Sequence, residues 1–124
     1  MIYHKHLLVN AKINKPLFDE DEAKEFLVNL VKDIDMKILQ GPFVTYLDVA
    51  GNRGMTAVVM IETSHIAFHI WDEMAPCLLQ FDLYTCGTLD TYKALEIIQK
   101  QFKPEFMEYV LFDRENGFVI EAQG

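Results

Sequence analysis

Three runs of this chain alternate strictly between two kinds of side chain, and short connections separate them. In Met55–Glu62, the residues Met55, Ala57, Val59 and Ile61 form an apolar set, against Thr56, Val58, Met60 and Glu62. In His65–Trp71, Ile66, Phe68 and Ile70 oppose His65, Ala67, His69 and Trp71. In Leu78–Thr85, Leu79, Phe81 and Leu83 oppose Gln80, Asp82 and Tyr84, with Cys86 continuing the polar row. Successive side chains on a strand point to opposite faces, so this period of two predicts three strands, each with one wholly apolar face. The other face then collects Thr56, His65, His69, Trp71, Asp82, Tyr84 and Cys86. Trp71, Tyr84 and Met60 suit a solvated surface poorly, so the polar face reads as a covered one, a site or a subunit interface.

The rest of the chain supplies what covers the apolar face. Tyr3–Ile13 reads as a strand. Beyond Pro16, with Asp19 or Asp21 as cap, Ala23, Phe26, Leu27, Leu30, Val31 and Ile34 fall on one helical stripe. A second helix is predicted over Thr91–Phe102, capped by Thr88 or Asp90. Its inward face is Ala94, Leu95, Ile98 and Phe102, and Pro104 ends it. Phe43–Val49 reads as a strand joined to the next through Gly51-Asn52-Arg53-Gly54. Met107–Phe112 and Phe118–Glu121 form a hairpin about Asn116-Gly117. The order β-α-β-β-β-β-α-β-β predicts one α+β domain over residues 1–124. It is a two-layer αβ sandwich, with two helices on one face of a mostly antiparallel sheet.

Charge and composition narrow the function classes. A formal net charge of −8 argues against nucleic acid, whose phosphates demand basic patches, and suits a cationic small molecule. No apolar run reaches the length of a membrane span, so no membrane association is expected. The N-terminal Met-Ile-Tyr-His-Lys-His leads into alternating residues rather than a signal-peptide pattern. With only Cys77 and Cys86, a reduced cytoplasmic setting is the expectation.

Three kinds of site are conceivable. His65 and His69 have good metal-ligand spacing on a helix, but on a strand they stand about 13 Å apart, so no metal site is expected. His4 and His6 can share a strand face but bring no nearby Cys or carboxylate partner. Cys86 and His69 are candidates for a thiolate pair across neighbouring strands, while Cys77, beside Pro76, reads as a buried, inert thiol. The third arrangement uses Ser64, at the turn between two of the strands, with His69, Thr56 and Cys86.

The residues of this third arrangement carry a resemblance. Ser64-His65-Ile66-Ala67-Phe68-His69-Ile70-Trp71-Asp72-Glu73 and Asp82-Leu83-Tyr84-Thr85-Cys86-Gly87 resemble the signature of the prokaryotic S-adenosylmethionine decarboxylases. That signature is Ser-His-Ile-x-x-His-x-Trp-Pro-Glu followed by Asp-x-Phe-Thr-Cys-Gly. Gly54-Met55-Thr56-Ala57 is similar to the family's Gly-Val-Ser-Gly. The resemblance is densest from Gly54 to Gly87.

It implies a self-processing proenzyme. Cleavage between Thr63 and Ser64 would give a β chain of residues 1–63 and an α chain of 64–124, with Ser64 becoming a pyruvoyl group. The resemblance gives His69 the proton transfer of processing, Thr56 the place of an assisting serine, and Cys86 the return of a proton after carbon dioxide leaves. The pyruvoyl ketone would form a Schiff base with the substrate amine. It also implies substrate contacts from Trp71 and Glu73, a homodimer with sites near its interface, and a place in polyamine synthesis. Thr63 stands where the family has Glu, Asp72 where it has Pro, and the stretch from Trp71 to Asp82 is two residues longer. These departures surround the pocket, so arginine or ornithine remains an alternative substrate, and a non-cleaving, non-catalytic homologue that binds a partner or ligand an alternative function.

Overall fold

The structure, a computed structural model, describes residues 3–124. Met1 and Ile2, which open the N-terminal stretch read above, lie outside the described residues. Nine elements follow in order: β1 (Lys5–Ile13), α1 (Glu20–Asp33), β2 (Ile38–Leu47), β3 (Gly54–Ile61), β4 (Ser64–Trp71), β5 (Cys77–Thr85), α2 (Thr91–Phe102), β6 (Pro104–Asp113) and β7 (Val119–Gln123). The seven strands form one sheet in the order β2-β3-β4-β5-β1-β6-β7, and every neighbouring pair is antiparallel. The expected α+β sandwich is therefore the one observed.

The alternation decides which face is buried. Leu7, Val9 and Ala11 of β1 stand opposite Leu83, Phe81 and Leu79 of β5, all on one side of the sheet. Met55, Ala57, Val59 and Ile61 of β3 and Ile66, Phe68 and Ile70 of β4 extend the same surface. Both helices lie on it. Phe26 of α1, Phe102 of α2 and Phe68 of β4 meet edge to face, with ring centroids 5.1 to 6.0 Å apart. Burying each such ring contributes about 1.5–3 kcal/mol, so this trio is a principal tie between the layers.

Local signals account for the helix ends. Asp19 caps α1 by accepting from the N–H groups of Asp21 and Glu22, and Asp90 caps α2 by accepting from that of Lys93. The edge strand β2 differs from expectation: it begins at Ile38 rather than Phe43, and Val49 falls outside it. Gly41 and Pro42 interrupt its alternation, and the pairing with β3 shifts register on both sides of Gln40. An edge strand tolerates Pro because one row of its backbone groups has no ladder partner to lose. Strand β6 begins at Pro104, three residues before the expected Met107, and β7 runs to Gln123 rather than Glu121.

Candidate active site

The helix-free face of the sheet carries the polar row read from the sequence, whereas Ser64, by register, stands on the helix side at the end of the β3–β4 hairpin, so the candidate residues fall in two clusters. The first surrounds the two-residue turn between β3 and β4. Ile61 pairs with Ser64, and Ser64 pairs on its other side with Thr85 of β5. Cys86, one residue further on, therefore stands beside the Thr63–Ser64 peptide. Its backbone N–H donates to the Thr63 carbonyl oxygen at 2.7 Å. The Thr85 hydroxyl donates to that of Thr63 at 2.8 Å and accepts from the N–H of Gly87 at 3.0 Å. Ser64 adopts φ 138, a conformation that a side-chain-bearing residue holds only at a cost of about 1–3 kcal/mol. A strained serine thus follows a carbonyl that is polarised by a fixed donor, an arrangement suited to attack on that carbonyl.

The second cluster lies at the far end of the same hairpin. Thr56 and His69 are cross-strand partners, and the threonine Oγ1 is 3.1 Å from His69 Nδ1. Trp71 stacks on His69 with centroids 5.7 Å apart and planes 29° apart, and its indole N–H donates to Asn52 Oδ1 at 3.0 Å. Together these groups border a cavity of about 190 Å³. Glu73 does not point into it. Its two oxygens accept from the backbone N–H groups of Gly51 and Arg53, which hold its pKa below the ordinary glutamate range.

The distance between the clusters is decisive. Ser64 and His69 are five residues apart along β4, about 16 Å at the usual rise. His69 pairs with Gln80, five positions from the partner of Ser64, so Cys86 and His69 do not meet across the strands. Of the grouped candidates, a single chain joins Ser64 with Cys86 and Thr56 with His69, but does not join the two pairs. Cys77 is buried, and its thiol pKa is pushed up chiefly by that burial.

Between the clusters lies a network that the sequence did not announce. His6 does have a carboxylate partner: its Nε2 bonds to Asp82, contrary to the reading of His4 and His6 as unaccompanied. Arg114 donates to His6 Nδ1 at 3.0 Å, which leaves the Nε2–H to donate to Asp82. The Arg114 guanidinium also lies 4.7 Å from the centroid of the Tyr84 ring and 5.2 Å from that of Phe118. Asp82 was legible as a motif residue, whereas Arg114 comes from beyond β6 and reaches the face only through tertiary pairing. A groove of about 690 Å³ runs over this region, bordered by Asn10, Ala67, His69, Gln80, Asp82 and Glu108 among others. No group of three His, Cys, Asp or Glu among the described residues is placed to hold a metal ion.

An antiparallel sheet with both helices on one face, and a tight hairpin turn that holds a strained serine, define a two-layer α+β domain. The chain belongs to the S-adenosylmethionine decarboxylase family, whose sequence profile matches residues 5–115. An S-adenosylmethionine decarboxylase proenzyme of Archaeoglobus fulgidus is 37% identical over 63 residues, 50% of this chain and 54% of that protein. A proenzyme of the same name from Sulfurihydrogenibium sp. is 32% identical over 95 residues, 76% of this chain and 67% of its own. An arginine decarboxylase proenzyme of Aeropyrum pernix is 36% identical over 72 residues, 56% of this chain and 53% of that protein. The crystal structure of the adenosylmethionine decarboxylase from Aquifex aeolicus VF5 superposes with a TM-score of 0.71 at 27% identity, covering 99% of this chain and 98% of that one. The family and the proenzyme names imply a pyruvoyl group derived from the chain itself, and the family is consistent with a small-molecule substrate. Among the described residues, no helix is long and apolar enough to cross a membrane.

Proposed function

We propose that this chain is a self-processing, pyruvoyl-dependent decarboxylase of S-adenosylmethionine, acting in polyamine synthesis. The observation that carries the reading is the Thr63–Ser64 junction, with Ser64 at φ 138 and the Thr63 carbonyl held by the Cys86 N–H at 2.7 Å. The Ser64 hydroxyl adds to the Thr63 carbonyl carbon, and the Cys86 N–H stabilises the negative charge that develops on the oxygen. The peptide bond gives way to an ester. Removal of the Ser64 α-proton then expels the Thr63 carboxylate and leaves a dehydroalanine, which water converts to the pyruvoyl group with loss of ammonia. Cleavage also relieves the strain at Ser64. The residues around the junction therefore fit the group. When formed, it supplies an electron sink for loss of carbon dioxide from a bound amine.

His69 handles protons during processing, and Thr56, hydrogen-bonded to its Nδ1, helps to hold the ring in place. Cys86 returns a proton to the substrate carbon after carbon dioxide leaves. Because one chain keeps His69 about 16 Å from Ser64, the reading requires a second copy to bring its Thr56–His69 pair to the first copy's Ser64. The helix-free face suits such a homodimer. Phe43, Met60 and Phe106, 41 to 56% exposed, are large apolar side chains set among its polar ones. Trp71, at the edge of the small cavity, offers a face for an adenine, while Glu73 fixes the loop beside it. Free Cys77 and Cys86 suit a reducing, cytoplasmic setting.

Intact mass of the purified protein tests the reading. Two fragments split at Thr63–Ser64 are expected, and Ser64→Ala abolishes the split while the domain stays folded. His69→Ala slows cleavage by about 10²–10⁴-fold, whereas Cys86→Ala, which keeps its backbone N–H, still cleaves but decarboxylates poorly. A chain that stays whole after prolonged incubation favours a non-catalytic homologue. The arginine decarboxylase relative supports a second reading, in which the same chemistry acts on arginine. Turnover of arginine by the processed protein, with indifference to adenosine analogues, would select it.

A further inference from the structure

A proton-transferring imidazole on an exposed sheet face needs something to stop its ring from swinging. His69 is exposed, and its threonine partner fixes only one nitrogen. The remaining restraint is the Trp71 indole, stacked on the imidazole from two residues along the strand. The indole is oriented in turn by its N–H bond to Asn52 Oδ1. Asn52 lies in the exposed loop between β2 and β3, so its position depends on what holds that loop.

The loop is held tightly. Asp72, whose side chain is fully buried, accepts from Arg53 Nε at 2.8 Å and from the Tyr46 hydroxyl at 2.7 Å. Arg53 Nη2 donates to the Asp72 carbonyl oxygen at 3.3 Å, and the Asp72 N–H donates to the Arg53 carbonyl oxygen at 3.1 Å. A buried carboxylate is tolerable only with such partners on both oxygens. Glu73 adds bonds to the N–H groups of Gly51 and Arg53, so Asn52 is flanked by fixed residues on both sides.

We infer that Asn52 is a positioning residue for His69, acting through the Trp71 indole, and that the Arg53–Asp72–Tyr46 clamp sets the place from which it acts. The inference rests on the role proposed for His69, but its first readout does not need that role. In the non-cleaving Ser64→Ala chain, NMR is used to record the His69 ring-proton shifts. Asn52→Ala is expected to move them, because the indole above the ring is released, while Tm stays unchanged. Asn52→Asp, which keeps an acceptor oxygen, is expected to restore the His69 signals. Trp71→Phe, which keeps an aromatic face but loses the N–H, reproduces the displacement of the signals. In the cleaving chain, Asn52→Ala slows processing about tenfold. Unmoved His69 signals in both Asn52→Ala and Trp71→Phe would overturn the inference. If the signals move while the cleavage rate does not, positioning stands and the cleavage role given to His69 falls instead.

Discussion

Glu73 is the glutamate that the family pattern places after the tryptophan, and its chemistry here follows from two backbone bonds. The N–H of Arg53, and then that of Gly51, favour the ionised carboxylate and lower its pKa. A carboxyl whose pKa is lower folded than unfolded adds stability that is fully present above the unfolded value, about 4.3. The contribution fades as pH falls through the lower folded value. The amide signals of Gly51 and Arg53 are therefore expected to titrate together, with a midpoint below that of an ordinary glutamate. Glu73→Gln should remove this titration. A midpoint at or above the ordinary value would mean that the carboxylate does not hold the loop. The sequence motif located Glu73 but gave no sign that both of its oxygens were engaged. The amides it binds lie about twenty residues earlier, across a loop whose conformation is tertiary.

Gly54 shows how closely the β3–β4 hairpin is drawn together at its open end. A Cβ there would stand 1.7 Å from the Ile70 carbonyl oxygen and 2.8 Å from its carbon, both backbone atoms that cannot turn aside. Gly54→Ala must push the strands apart beside Thr56 and His69. The expected cost is about 3 kcal/mol, at the upper end for single substitutions, read as a lowered midpoint of urea unfolding. Asp19→Ala, which removes only the cap of α1, should cost about 1 kcal/mol. A Gly54→Ala midpoint equal to that of the unmodified chain would show that the close approach is not made. Elements were legible where local signals agreed. The bounds of α2 follow from its apolar stripe, from Asp90 and from Pro104. The limits of β2 escaped the sequence because Gly41 and Pro42 break its period, while its partner β3 supplies the pairing that keeps it a strand.

At the scale of the whole molecule, the division of the site into two halves predicts complementation between defective chains. Neither Ser64→Ala nor His69→Ala should cleave appreciably alone. Co-expressed, a fraction of the His69→Ala chains should be cut at Thr63–Ser64, because their serine meets the His69 of a Ser64→Ala partner. Mass spectrometry distinguishes the two chains, and a mixture in which no chain is cut would sink the shared-site arrangement. By itself the sequence determined the two-layer fold, the buried face and the membership of the polar row. Each follows from a period of two or of 3.6 residues, which is a local property of the chain. Only the tertiary structure decided the strand order, with β1 between β5 and β6, and with it the approach of Arg114 to His6 and Asp82. It also decided that His69 stands with Thr56. Strand register is set by the mutual fit of apolar faces and turns from distant parts of the chain, and no single stretch of sequence contains that fit.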